Sequence, residues 1–113
     1  MLPRVNRIKK KKDFEAVFKE ARKAPQSLKS NLFILKVAKN NLGLNRLGIM
    51  VSQKVSKKAV ERNKVRRRAI NAIKDEIKNI KAGTDLVLIA LPGIEKKGFA
   101  EIKESIHNIC LHL

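Results

Sequence analysis

Residues 85–91 read Asp-Leu-Val-Leu-Ile-Ala-Leu, and Pro92-Gly93 follows. A short, nearly continuous apolar run closed by a turn signal predicts a strand buried on both faces. Upstream, the pattern predicts a long helix from an N-cap at Ser56 to about Ala82, with Gly83 at the left-handed position after its end. Before that helix, Leu47 to Gln53 (LGIMVSQ) predicts a strand. Asn31 to Ala38 (NLFILKVA) predicts another, with Leu32, Ile34 and Lys36 on one face and Phe33, Leu35 and Val37 on the other. Asn40-Asn41-Leu42-Gly43 is turn material, so these two strands are expected to pair antiparallel as a hairpin.

Further out, Asp13 can cap a helix to about Arg22, with Phe14, Val17, Phe18 and Ala21 at helical spacing. Pro25 and its serine-containing surroundings form a connector or an irregular edge strand. A last helix begins near Phe99, with Phe99, Ile102, Ile106, Ile109 and Leu113 on one face. A strand, a helical crossover and another strand argue for an α+β protein built as an α/β sandwich: one small sheet with helices packed on it. At 113 residues the chain is expected to be one domain, 1–113, with residues 1–8 a flexible basic tail.

Lysine and arginine number 27 against 10 aspartate and glutamate, a net charge of +17. The 43% hydrophobic content supports a core, so the charge does not mean wholesale disorder. All of the net charge lies in residues 1–80, because residues 81–113 carry four bases and four acids. A merely solubilising surface would be even; this distribution is the footprint of a polyanionic partner. The one cysteine, Cys110, cannot close an internal disulfide and reads as core filler on an apolar helix face. His107 and His112 give no metal-ligand cluster with it. The first residues lack a signal-peptide apolar run, and no stretch is long enough to span a bilayer. The expectation is a reduced, cytoplasmic protein with no membrane partner and no small-molecule substrate. No phosphate loop, nucleophile triad or metal motif is present, so a catalytic site of these side chains alone is not expected.

Residues 54–68 (KVSKKAVERNKVRRR) hold eight bases and one acid. At about 100° per residue, Ile70, Ile73, Ile77 and Ile80 share a core-facing stripe whose backward extension meets Arg66, Arg62 and Ala59. Buried unpaired arginines are very costly. The N-terminal half of the helix is therefore expected to project past the core or to border a groove, with Arg62 and Arg66 open to a ligand. Lys64 and Arg68 fall on the outer face, and Asn63 and Arg67 lie between. Fork-shaped guanidinium donors in this arrangement suit phosphates and base edges.

The run from Ala59 to Arg68 resembles the Arg-Asn-Arg box of the bacterial ribonuclease P protein subunit. Arg46-Leu47-Gly48-Ile49 with Val51-Ser52-Gln53-Lys54 is similar to the family's preceding strand. Arg7-Ile8-Lys9 with Asp13-Phe14-Glu15-Ala16-Val17-Phe18 is similar to its N-terminal signature, and the three stand in register from about residue 4 onward. The resemblance implies a mixed four-stranded sheet with three helices in the order αβββαβα, and a left-handed βαβ crossover, as in the second domain of a small-subunit ribosomal protein. It implies binding to a large catalytic RNA that removes the 5′ leader of precursor tRNA, with Mg²⁺ held at the RNA and substrate reaction centre and no cofactor on the protein. It places Arg62, Asn63, Lys64, Arg66, Arg67 and Arg68 at the RNA. It also implies a leader cleft between the first helix and the sheet, lined by Phe14, Phe18, Ile34, Lys36, Met50, Ser52 and Lys54. A cationic groove with flat apolar platforms is how single strands are held. The third box position here is Lys64, which keeps the charge without the fork. Gln53 replaces a frequent lysine, and Lys36 stands where an aromatic is common.

Two other readings share the charge. One is a ribosomal-protein-like structural RNA-binding module. The other lays the 56–80 helix in a DNA major groove, but no short helix precedes it as in a helix-turn-helix. A membrane-surface helix would need an aromatic or leucine face that this one lacks.

Overall fold

A computed structural model describes residues 7–8, 11–23, 27–40 and 43–111. The elements are α1 (Lys11–Lys23), β1 (Ser27–Lys29), β2 (Phe33–Lys39), β3 (Arg46–Met50), α2 (Ala59–Ile73), β4 (Thr84–Ala90) and α3 (Phe99–Cys110), with single 3₁₀ turns at Ile77–Asn79 and Ile94–Lys96. The order αβββαβα and the mixed four-stranded sheet agree with the α+β expectation.

The strand order is β1-β2-β4-β3. The hairpin expectation is wrong: β4 inserts between β2 and β3, antiparallel to the first and parallel to the second. Asn41 and Leu42 of the expected 40–43 turn lie outside the described residues. β4 is an interior strand, and its near-continuous burial is why it reads as an unbroken apolar run. Alternation then divides its side chains. Leu86, Leu88 and Ala90 join Phe33, Leu35 and Leu47 under α2 and α3, whereas Val87 joins Ile8, Val17 and Ala38 under α1.

The hand of the β3–α2–β4 crossover follows from one hydrogen bond. Seen from the α2 side with β3 running upward, L-chirality puts the carbonyl of a viewer-facing residue to the right. Leu47 faces that side, and its carbonyl accepts from Ile8 N–H at 2.8 Å, on the edge away from β4. β4 is therefore on the left, and the crossover is left-handed, against the general rule for parallel strands. The same bond corrects the tail expectation at its end: Arg7 bridges Leu47 and Ile8 is buried. Residues 1–6 lie outside the described residues, as do Pro25, Leu113 and the side chain of Ala21.

α2 is shorter than expected, ending at Ile73 rather than near Ala82. Ile77 and Ile80 still pack on the core, but from a turn and not from a helical stripe. Asn45 holds that turn: its Nδ2 donates to the carbonyls of Ile77 and Ile80 at 3.2 and 3.0 Å, and its Oδ1 accepts from Thr84 N–H at 3.0 Å. Gly83 is left-handed (φ 84°) as expected, though it leads into β4 instead of ending α2. In α3, Ile102, Ser105, Ile106 and Ile109 are buried, but Phe99 is 42% exposed, correcting its place in the core. Cys110 is half-buried against the core, and burial, helped by Glu76, pushes its thiol up to about 11. The thiol is protonated at neutral pH and therefore a poor nucleophile.

One polar cluster sits in the sheet. Asp85, 4% exposed on β4, takes Arg46 Nε at 2.8 Å and Nη2 at 2.6 Å, and Asn40 Nδ2 at 2.7 Å. Arg46 Nη1 also reaches Asp13 of α1 at 3.6 Å. The hydrogen bond to Asp85, reinforced by both carboxylates, holds the guanidinium pKa above its ordinary value. Breaking a buried pair by removing one partner strands the other charge. Asp85→Ala should therefore lower stability by about 3–5 kcal/mol in urea denaturation, and the apolar pair Asp85→Leu with Arg46→Met should recover much of that loss.

Candidate nucleic-acid interface

α2 begins after an extended Lys58 that offers no side-chain cap. Ser56, expected as the cap, lies two residues earlier. Its Oγ accepts from Lys58 N–H at 3.2 Å and donates to Glu61 Oε2 at 2.8 Å. The helix rests on the core through Val65, Ala69, Ala72 and Ile73. This seat is rotated from the isoleucine stripe. Val65, not Arg62 or Arg66, is the buried residue of the N-terminal half, and with buried Val55 it extends the core beneath this half instead of leaving it to project. Two alanines let the helix approach closely, so a stripe judged by side-chain bulk misses them.

The rotation sorts the basic residues. Asn63, Lys64 and Arg67 are exposed. Arg62 and Arg66 lie along one flank, half-buried. Arg62 is not wholly open to a ligand, because its Nη1 donates to the Ser56 carbonyl at 3.0 Å. Arg66 Nη1 donates to Asn63 Oδ1 at 2.7 Å, which couples the amide to the guanidinium. Arg68, on the opposite flank, donates to the Lys97 carbonyl at 3.0 Å. Each of these guanidiniums has further N–H donors beyond the one these bonds occupy. The bonds aim the side chains without consuming them.

The second group lies on the α1 side of the sheet. Register places Ile34 opposite Ile89, and Ile89 opposite Met50, so these three cross the sheet in one row; Lys36, Val87 and Gly48 form the next. Phe14 and Phe18 of α1 are partly buried against the cluster of Ile8, Val17, Ala38 and Val87, with Ile89 beside them. Both phenylalanines therefore belong to the packing while keeping some exposed surface. Met50 is 40% exposed at the end of β3. Ser52 and Lys54 are exposed in the turn beyond it, where Ser52 Oγ accepts from Lys54 N–H at 3.2 Å. That turn leads straight into α2. Ile89 escaped the sequence reading because β4 was read as buried on both faces without its alternate residues being assigned to one side. Its position two residues on from Val87 was the available signal.

Gly48 makes the close approach of α1 possible. A Cβ on it would stand 2.5 Å from Phe14 Cε1 and 2.7 Å from Cζ, well inside contact distance. Among the described residues no three metal-ligating side chains converge, and no helix is long and apolar enough to cross a membrane.

An exposed arginine-rich helix beside a half-covered sheet face marks a small basic sandwich protein whose charge pattern suits a nucleic acid. A family model described as Ribonuclease P matches residues 2–113, and the chain belongs to that family. The ribonuclease P protein component of Clostridium kluyveri is 36% identical over 107 residues, covering 93% of this chain and 91% of that protein. That of Streptococcus pneumoniae is 32% identical over 103 residues, with 91% and 80% covered. The solved RNase P protein of Staphylococcus aureus superposes with a TM-score of 0.81 at 29% identity, covering 95% of this chain and 94% of that one. The Thermotoga maritima RNase P protein gives 0.80 at 28%, with 95% and 96% covered.

Gly48→Ala should push the Phe14 ring off the sheet and cost about 1–3 kcal/mol, the usual range for overpacking. A double-mutant cycle in thermal denaturation should show that Phe14→Ala costs less in the Gly48→Ala background than alone.

Proposed function

We propose that this chain is the protein subunit of a cytoplasmic ribonuclease P holoenzyme, binding the catalytic RNA and the 5′ leader of precursor tRNA. The observation that carries the reading is the placement of two groups joined by one short loop. The Arg62–Arg68 segment of α2 presents cations and an amide on a helix seated by Val65 and Ala69. The row Ile34, Ile89 and Met50, with Lys36 in the next row, leaves a partly covered sheet face at the end of β3 where the chain departs for α2.

In this reading Arg62, Asn63, Lys64, Arg66, Arg67 and Arg68 take phosphates and base edges of the catalytic RNA. The leader lies along the α1 side of the sheet, past Phe14, Phe18, Ile34, Lys36, Met50, Ser52 and Lys54. Bases rest on the apolar row and phosphates meet Lys36 and Lys54. The chemistry of hydrolysis belongs to the RNA with Mg²⁺. The carboxylates of Asp85 and Asp13 are both turned toward Arg46. The protein's part is positioning: neutralising phosphates and holding the leader in one path.

The test is precursor tRNA cleavage by the cognate catalytic RNA at low Mg²⁺, with and without the protein. The expected result is a gain in rate or in precursor affinity, and no gain overturns the proposal. Affinity for the RNA should fall roughly 10³–10⁵-fold between 50 and 200 mM salt if ~6–10 phosphates are neutralised. Arg67→Ala, fully outward on α2, should weaken RNA binding and lower the salt slope by about one, with the melting temperature unchanged. Arg62→Ala should weaken binding and also cost about 1 kcal/mol of stability, because it removes the bond to Ser56.

A further inference from the structure

The flank of α2 that carries Lys64 and Arg68 faces the segment just before α3, and a cavity of about 380 Å³ lies between them. Val55, Glu61, Lys64, Val65, Arg68, Glu95 and Lys96 line it. Both carboxylates are already engaged. Glu61 Oε2 accepts from Ser56 Oγ, with Lys58 at 3.9 Å, and Glu95 Oε2 accepts from Gly93 N–H at 3.0 Å. Arg68 is fixed by its bond to the Lys97 carbonyl. Lys64 and Lys96 are exposed, and their ammonium groups make no ion pair or hydrogen bond among the described residues. Two residues past that carbonyl stands Phe99, the most exposed phenylalanine among the described residues, on the first turn of α3.

We propose that this cleft is a second RNA-contact surface, which takes a phosphodiester between Lys64, Arg68 and Lys96 and stacks a neighbouring unpaired base on Phe99. The inference rests on the RNA-binding reading of α2 and extends it. It brings in residues from the charge-neutral last third of the chain, which the box does not include. Three cations around one concavity, two of them without protein partners, match a phosphate. A cavity lined by Val55 and Val65, with an exposed aromatic three residues along the chain from Lys96, matches a single-stranded segment rather than a duplex backbone. The RNA would then contact α2 on both flanks and be clamped to α3 through Arg68.

The experiment measures affinity of the full chain for its cognate catalytic RNA by filter binding across salt. Variants Lys96→Ala, Phe99→Ala and Phe99→Tyr are compared, with Lys103→Ala on the exposed side of α3 as control and Arg67→Ala as reference. Lys96→Ala should weaken binding about 3–10-fold and reduce the salt slope by about one. Phe99→Ala should weaken it about fivefold or more at every salt concentration, and Phe99→Tyr should restore it. Lys103→Ala should bind like the parent, and all melting temperatures should match because these side chains are exposed. If Lys96→Ala and Phe99→Ala bind like the parent while Arg67→Ala is weakened, the second surface is refuted and the reading of α2 stands. If Arg67→Ala is also without effect, the reading of α2 itself fails.

Discussion

The buried charge pair of Asp85 and Arg46 is the interaction on which the rest of this structure depends. β3 has no hairpin to hold it in place, since its neighbour β4 arrives more than thirty residues later through α2. Parallel pairing must therefore be specified from within. Arg46 and Asp85 are register partners, and a bidentate pair between them defines that register. A slip of β3 by one residue would turn Leu47 away from the face it shares with Leu86 and Leu88. Through Asp13 the same guanidinium reaches α1, so one side chain relates the parallel pair to the helix above it. Only with that relation set does Phe14 lie over Gly48, and only then does the upper row of Ile34, Ile89 and Met50 remain partly uncovered.

The two faces of the sheet are unequal for a physical reason. The α2 and α3 side carries the large core, and Phe33, Leu35, Ile73, Leu86, Leu88, Ile94, Ile102 and Ile106 are essentially sealed there. Most of the apolar burial, and so most of the hydrophobic stabilisation, lies on that side. The α1 side buries only a small cluster. One helix cannot cover four strands, and the uncovered remainder is apolar surface next to a lysine. Stability is secured on one face, which leaves the other free to be a binding surface. The same economy operates on α2: four small or apolar residues seat it, and its remaining circumference is left to polar and charged groups.

What the sequence disclosed follows from how local each determinant is. The apolar continuity of β4, the 3.6-residue spacing of Phe14, Val17 and Phe18, and the charge density of 54–68 are properties of single segments, and each was legible. Strand pairing was not, because the 40–43 turn looks the same whether the next strand is a neighbour or stands one place away. The end of α2 was invisible as well. No glycine or proline marks Lys74, and the chain turns where an amide from Asn45, more than thirty residues distant, collects the carbonyls of Ile77 and Ile80. The seat of α2 was misjudged because Ala69 and Ala72 contribute little bulk to a periodic pattern while deciding how closely the helix can lie. The division of Arg62, Asn63, Lys64, Arg66, Arg67 and Arg68 into two flanks and an outer edge also depends on that seat.

Charge counted along the chain carries the same weakness. The last third is neutral by sum, and reads as the part that folds while the first 80 residues bind. Folding does not respect that division. Lys96 comes to stand across a cavity from Lys64, and Glu95 beside it is turned back to its own backbone at Gly93. A neutral sum over a segment thus conceals a local field, because an acid engaged by a backbone N–H and a base directed into an opening do not cancel at the opening. For a basic protein that folds around a left-handed crossover, the relevant quantity is charge on each flank of the exposed helix. That is set by which residues α2 buries, and so by Val65 and the two alanines beneath it.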